Sequence, residues 1–195
     1  MVVGRTFREV TVRWLYRAGW AALVLWIVVA AFLRIGPTET GPTITIVALD
    51  GTQRTVPLAE MKGLPRLSRH GVYQNQYDNW RDEGLYAGVL LADLIGRGAV
   101  YASVRVVAED GYEILIERAR VEDDAFPMTL AYAFDGEEIP DWDDGPRIAV
   151  LPESGRVSNE AYGVVSAGSY WVKNVVRIVL EAVPSSSPTE GSGGT

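Results

Sequence analysis

The amino-acid sequence predicts an α+β domain, a mixed β-sheet with short helices, carried on one N-terminal transmembrane helix. Short segments in which apolar and polar residues alternate, each bounded by a turn signal, dominate residues 43–183 and predict strands. Two short helical segments that end at proline or glycine lie between them. Near the start of the chain, the 16 residues 18–33 carry no charge, which predicts a helix that crosses a membrane.

The predicted transmembrane helix covers residues 14–35. Its uncharged centre is short for a bilayer, but aromatic residues extend it backwards, and the long side chains of Arg17 and Arg34 can reach the two interfaces. Four arginines precede this centre and one follows it closely. The positive-inside rule therefore places residues 1–13 in the cytoplasm and the domain outside it, on a single-pass protein of the cell membrane. A cleaved signal peptide and a buried soluble helix are the alternatives for this segment.

The domain, residues 43–183, follows a linker of residues 36–42 that holds two prolines and two glycines. Asp50-Gly51 and Asp110-Gly111 are typical of hairpin turns, and each is flanked by two β-rich segments. The predicted strands are residues 43–49, 53–57, 102–108, 112–117, 128–134, 147–151 and 171–183, and the predicted helices are residues 58–64 and 89–95. Residues 184–195 are rich in serine, proline and glycine, which is typical of disorder.

The composition excludes several classes of function. The chain has no cysteine and a single histidine, His70. This excludes disulfides, thiolate metal sites, cysteine nucleophiles and a haem with two histidine ligands from one chain. Five arginines and one glutamate give the first 36 residues a charge of +4, so with −7 for the whole chain the remainder carries −11. A domain this acidic repels nucleic-acid phosphates, and we expect no nucleic acid among its partners.

Two segments concentrate polar side chains. Residues 70–86 hold four aromatic and four amide side chains, which suit either a ligand-lined cleft or a long surface loop whose rings cover one edge of the sheet. Residues 135–144 hold six carboxylates and no basic residue. We interpret this second segment as a solvated turn, with a Ca²⁺ site as the alternative, because its spacing does not match an EF-hand loop.

Five motifs follow one another in the order of a known family. They are Tyr86-x-Gly88-Val89-x-Leu91-x-Asp93-Leu94, Glu109-Asp110-Gly111-Tyr112, residues 130–140 (LAYAFDGEEIP), Gly145-Pro146-Arg147 with residues 148–150, and Trp171-Val172-Lys173 with residues 176–178. In this order they resemble the oxidoreductase molybdopterin-binding domain, which has the sulfite-oxidase-like fold. The resemblance covers residues 47–180 and implies that fold for nearly the whole domain.

The chain departs from that family at one position on which its chemistry depends. The resemblance implies that catalytic members carry a molybdenum-ligating cysteine just before the GV-x-L motif, near Tyr73 to Asn75 in this sequence. This chain has no cysteine, and no other residue type supplies the soft thiolate that such a centre uses. The residues that the resemblance assigns to the cofactor cleft are Tyr73, Asn75, Arg147 and Lys173, with Arg147 and Lys173 as the anchors of the pterin.

We therefore expect a binding or structural module, anchored in the lipid bilayer and acting as an accessory subunit of a membrane complex with protein partners. A fold alone does not carry an activity, and we predict no cofactor, no catalytic residue and no metal ligand. Two alternatives remain. One is an oxidoreductase that binds molybdopterin through Arg147 and Lys173 with a non-cysteine metal ligand, and the other is an extracytoplasmic receptor for a small anion or solute.

Overall fold

The structure, a computed structural model, describes residues 41–183. The strands in this part of the chain are β1 (Thr43–Val47), β2 (Gln53–Pro57), β3 (Arg66–Gln74), β4 (Trp80–Leu90), β5 (Ser103–Ala108), β6 (Glu113–Glu117), β7 (Met128–Phe134), β8 (Glu137–Glu138), β9 (Arg147–Val150), β10 (Arg156–Val157) and β11 (Val175–Glu181). The helices are α1 (Leu58–Lys62), α2 (Leu91–Ile95), α3 (Arg118–Val121) and α4 (Asn159–Tyr162), and a 3₁₀ helix covers Ala167–Tyr170. The sequence prediction of a sheet-dominated α+β domain with short helices is confirmed.

The predicted transmembrane helix, residues 14–35, and the predicted disordered tail, residues 184–195, both lie outside the described residues. Of the helices found in residues 41–183, none is sufficiently long and apolar to cross a membrane. The single-pass anchor therefore stays a prediction from the sequence.

The first sheet joins the two ends of the domain. Its strand order is β2-β1-β11-β5-β6, with β1 and β11 parallel and the other pairs antiparallel. Ile44 and Ile46 of β1 and Ile178 and Leu180 of β11 are buried, whereas the residues between them are partly exposed. This period of two is the alternation visible in the sequence, and it fixes the face of the sheet that packs on the core.

The second sheet carries the candidate site. Its strand order is β10-β3-β4-β7-β8, and β9 also pairs with β7. Six of the seven residues of β7 and all four residues of β9 are buried. The sequence of a strand that is covered on both faces is a continuous apolar run, without the alternation of apolar and polar residues. One buried hydrophobic cluster contains residues of both sheets, and Arg147 of β9 lies buried beside it.

The sequence missed the longest strand pair. Within residues 70–86, residues 70–74 belong to β3 and residues 80–86 to β4, and the two strands pair antiparallel from Arg66 opposite Val89 to Gln74 opposite Trp80. The strand signal is masked because small and aromatic residues, rather than β-branched ones, occupy several inward positions. A Cβ atom on Gly71 would lie 2.6 Å from Leu151 Cδ2, so the close packing of this strand requires a glycine there.

Two predicted elements are shorter than expected. The helix predicted at residues 89–95 begins only at Leu91, because Val89 still pairs with β7 as part of β4. The strand predicted at residues 171–183 begins at Val175. Asn174, just before it, has a left-handed φ of 48°, which interrupts the regular extended backbone there.

Candidate functional site

Asp82 lies at an irregularity in β4. The register of β3 and β4 shifts between Gly71 and Tyr73, so Asp82 and Glu83 together oppose a single residue of β3. Asp82 has a left-handed φ of 52°, a conformation that aspartate adopts more readily than most residues. A β-bulge of this kind re-aims a side chain. Here it directs the carboxylate toward Arg147 of β9.

Arg147 is the buried charge at the centre of the site. Its side chain is only 2% exposed, and its Nη2 donates a hydrogen bond to Asp82 Oδ2. The guanidinium carbon lies 5.8 Å from the ring centroids of Tyr73 and Tyr86 and 5.5 Å from that of Trp171. Burying an arginine is costly unless its charge is paired, and here three rings add cation–π attraction to the ion pair.

Two further side chains complete an ion cluster around Arg147. Tyr73 Oη donates to Asp82 Oδ2 over 3.2 Å, and Lys173 Nζ lies 3.7 Å from the same oxygen. Lys173 Nζ also donates to Asp144 Oδ2 over 2.6 Å, and Arg147 Nη1 lies 3.9 Å from that oxygen. We call Tyr73, Asp82, Asp144, Arg147 and Lys173 the Asp82 cluster. Its two cations and two carboxylates balance, so the cluster is neutral overall.

The protonation states agree with this geometry. Burial acts to raise the pKa of the Asp82 carboxyl, but the hydrogen bond and the charge of Arg147, with help from Lys173, outweigh burial and lower this pKa below its ordinary value. Burial and then the charge of Asp82 raise the pKa of Tyr73. At neutral pH the carboxylate is therefore ionised, and the phenol keeps the proton that it donates to the carboxylate.

The structure separates the four residues predicted for the cleft. Tyr73, Arg147 and Lys173 meet in the Asp82 cluster, but the side chain of Asn75 does not join them. Asn75 Oδ1 accepts hydrogen bonds from the backbone N–H groups of Tyr77 at 2.9 Å and Asn79 at 3.1 Å. It thereby closes the turn between β3 and β4, a local role that asparagine often fills.

Sequence reasoning missed both carboxylates of the cluster. Asp144 lies in the acidic segment that was interpreted as a solvated turn, and it is 42% exposed but paired with Lys173. Other carboxylates of that segment also have partners, since Glu138 pairs with Lys62 and Asp135 Oδ1 accepts from Leu85 N at 2.7 Å. Within residues 41–183, no group of three or more His, Cys, Asp or Glu side chains could hold a metal ion.

The residues near the family's metal-ligand position do not fit a molybdenum dithiolene centre. The hydroxyl of Tyr73 is committed to Asp82, Gln74 Oε1 accepts from Asn159 N at 2.9 Å, and Asn75 closes the hairpin turn. None of these side chains is a thiolate, and Arg147, the expected pterin anchor, is already neutralised by Asp82. The donor set is therefore suited to holding the protein together rather than to ligating a metal centre that binds a soft thiolate.

The comparisons with known proteins concern the fold. No protein-family model matches the sequence, and no curated protein sequence matches it. Among solved structures, the sulfane dehydrogenase SoxCD from Paracoccus pantotrophus is similar, with a TM-score of 0.54 and 15% sequence identity. The match covers 73% of this chain and 38% of that chain, so the domain corresponds to well under half of its neighbour. The domain thus has a sheet-dominated α+β fold that is distantly similar to part of this sulfane dehydrogenase.

Proposed function

We propose that this chain is a non-catalytic binding or structural module, in which side chains of the protein itself close the cofactor cleft of a sulfite-oxidase-like fold. One observation carries the proposal. The carboxylate of Asp82 accepts hydrogen bonds from Arg147 Nη2 and Tyr73 Oη and lies 3.7 Å from Lys173 Nζ, and these three residues are the ones that the family resemblance assigns to a bound cofactor.

The position of Asp82 disfavours the entry of a cofactor phosphate into the cleft. An incoming phosphate would have to displace a carboxylate that belongs to the same chain and is therefore present at a high effective concentration. It would also have to enter beside Arg147, whose side chain is only 2% exposed. The absence of cysteine from the chain removes the metal bond that could offset these losses.

The setting of the module is proposed from the sequence. The arginine-flanked apolar segment supports a single membrane anchor, with the domain outside the cytoplasm. The charge of −11 beyond residue 36 favours a partner with a basic surface. We accordingly propose an accessory subunit of a membrane complex. In mild detergent, the chain should form a species larger than its monomer at low salt, and a monomer at both low and high salt would argue against this role.

A receptor for a small anion is the second candidate, because two buried donors of the site lack a partner. Arg147 Nε and Trp171 Nε1 are buried and make no hydrogen bond within residues 41–183. Buried donors are normally satisfied, so a small oxyanion could complete them. Titration with sulfate and phosphate, followed by the fluorescence of Trp171 and the other tryptophans, separates this candidate from a closed cleft, which shows no saturable change.

The pterin content of the purified chain tests the main proposal. The full chain is produced in a host that makes molybdopterin, purified in detergent, denatured and oxidised, and released pterin is measured by fluorescence. We expect far less than one pterin per chain. Near-stoichiometric pterin that falls in Lys173→Ala, but not in the control Lys62→Ala, would contradict the proposal. Both lysines are partly exposed, at 44% and 41%, so both variants should fold.

A further inference from the structure

A cavity next to the Asp82 cluster, with which it shares only Tyr73, lies at the tip of the β3–β4 hairpin, beside the 3₁₀ helix. Its volume is about 210 Å³, and its lining residues are Tyr73, Asn75, Gln76, Tyr77, Ser166 and Gly168. All six are uncharged, although 22% of the residues in the chain are charged. The lining therefore offers no counter-charge to an anion or a cation, and it suits a neutral ligand.

A single side chain fixes the two walls of this cavity relative to each other. Asn159 Nδ2 donates to the backbone oxygen of Asn75 at 2.8 Å and to Asp78 Oδ1 at 3.0 Å, both at the hairpin tip. Asn159 Oδ1 accepts from Ala167 N at 2.8 Å, in the segment that contains Ser166 and Gly168. Because these bonds hold the walls in place, a ligand would not have to order them on binding.

The cavity presents polar groups that the protein does not use. The oxygen of the Asn75 amide is engaged in the hairpin turn, but its Nδ2 has no partner within residues 41–183, and neither have the Gln76 amide and the Ser166 hydroxyl. Amides supply donors and acceptors side by side, and a hydroxyl supplies both. This set matches a ligand that itself carries several hydroxyl groups.

Aromatic rings supply the apolar part of the lining. Tyr77 is 73% exposed, an unusual position for a large ring with an apolar face. The Tyr73 ring packs so closely on the 3₁₀ helix that a Cβ atom on Gly168 would lie 2.5 Å from Tyr73 Cε2. A flat apolar face next to amides and a hydroxyl is complementary to a sugar ring, which has a C–H face and a rim of hydroxyls.

We propose that this cavity binds a neutral carbohydrate, with the sugar ring against Tyr77 and its hydroxyls bonded to Asn75, Gln76 and Ser166. Sugar binding here does not require the Asp82 cluster to open, because the four residues that would contact the sugar, Asn75, Gln76, Tyr77 and Ser166, take no part in that cluster. The pterin measurement, which tests the proposed function, and the sugar-binding measurement, which tests this inference, can therefore fail separately.

Saturation-transfer NMR on the full chain, in a detergent without a sugar headgroup, tests the inference. The probes are the methyl glycosides of glucose, galactose, mannose and N-acetylglucosamine, together with glucuronate and glucose phosphate as charged competitors. We expect transfer to the ring protons of at least one neutral glycoside. Tyr77→Ala and Gln76→Ala should each weaken its binding about tenfold or more, whereas Tyr77→Phe keeps the ring face and should retain most of it.

Leu115 provides a control. It is 49% exposed and does not line the cavity, so Leu115→Ala should leave sugar binding unchanged. No transfer to any neutral glycoside, with near-ultraviolet circular dichroism showing a folded chain, would overturn the inference. So would transfer that survives Tyr77→Ala undiminished, or a preference for the charged sugars over the neutral ones.

Discussion

Replacing Asp82 with alanine should destabilise the domain strongly, because it leaves the guanidinium of Arg147 buried without its main counter-charge. Removing one partner of a buried ion pair costs about 3–5 kcal/mol. The Asp82 side chain is 29% exposed, and Asp144 Oδ2 remains 3.9 Å from Arg147 Nη1. Both facts reduce the loss, so we expect the free energy of unfolding to fall by about 3 kcal/mol.

Urea unfolding of the full chain, followed by tryptophan fluorescence and linear extrapolation, measures this loss. Glu138→Ala is the matched control, because it breaks the Lys62–Glu138 pair, in which both side chains are more than a third exposed. It should cost less than about 1 kcal/mol. The double variant Asp82→Ala with Arg147→Met should recover part of the stability, since it removes both buried charges. If Asp82→Ala costs no more than Glu138→Ala, the reasoning is refuted.

Three other predictions follow from the same residues and from the predicted anchor. The pKa of Asp82 is lowered from 3.8 in the folded chain, so its contribution to stability is complete above that pH and is lost as the pH falls below it. The stability difference between wild type and Asp82→Asn should thus hold from neutral pH down to pH 3.8 and shrink as the pH falls further below that value, as measured by urea unfolding at each pH. Asn159→Ala removes the three side-chain bonds that join the hairpin tip to Ala167, and hydrogen exchange should become faster at Tyr77 and Asn79 while β7 is unchanged. Protease added outside intact cells should digest the chain beyond residue 36, and protection of that part until the cells are lysed would reverse the predicted orientation.

The sequence predicts the hairpins of the first sheet because their signals are local. Asp50-Gly51 and Asp110-Gly111 supply the turn residues, and alternating residues on each side supply the faces, so β1–β2 and β5–β6 form as expected. The β3–β4 pair has no comparable local signal. Its stability comes from pairing with β7 on the far side of β4 and from rings that pack over Gly71. Both are contacts of the tertiary structure, which a local sequence pattern does not contain.

The candidate site was predictable only in part, for a related reason. The family motifs identify Arg147 and Lys173, and these do meet Tyr73 in one cluster. The role of Asp82 arises from a register shift and a left-handed backbone conformation. Neither feature can be predicted from the identity of the residue. The charge pairing that decides whether the cleft is open or closed therefore becomes visible only when the strands are paired.

The molybdenum content of the purified full chain tests the closed, non-catalytic cleft most directly. The chain is produced in cells that are supplied with molybdate and make molybdopterin, and the metal is measured by elemental analysis against the protein concentration. We expect far less than one molybdenum atom per chain, because the chain contains no cysteine thiolate and Arg147 is paired with Asp82. Near-stoichiometric molybdenum that is lost in Tyr73→Phe would contradict this expectation and would identify the chain as an enzyme with an unusual metal ligand.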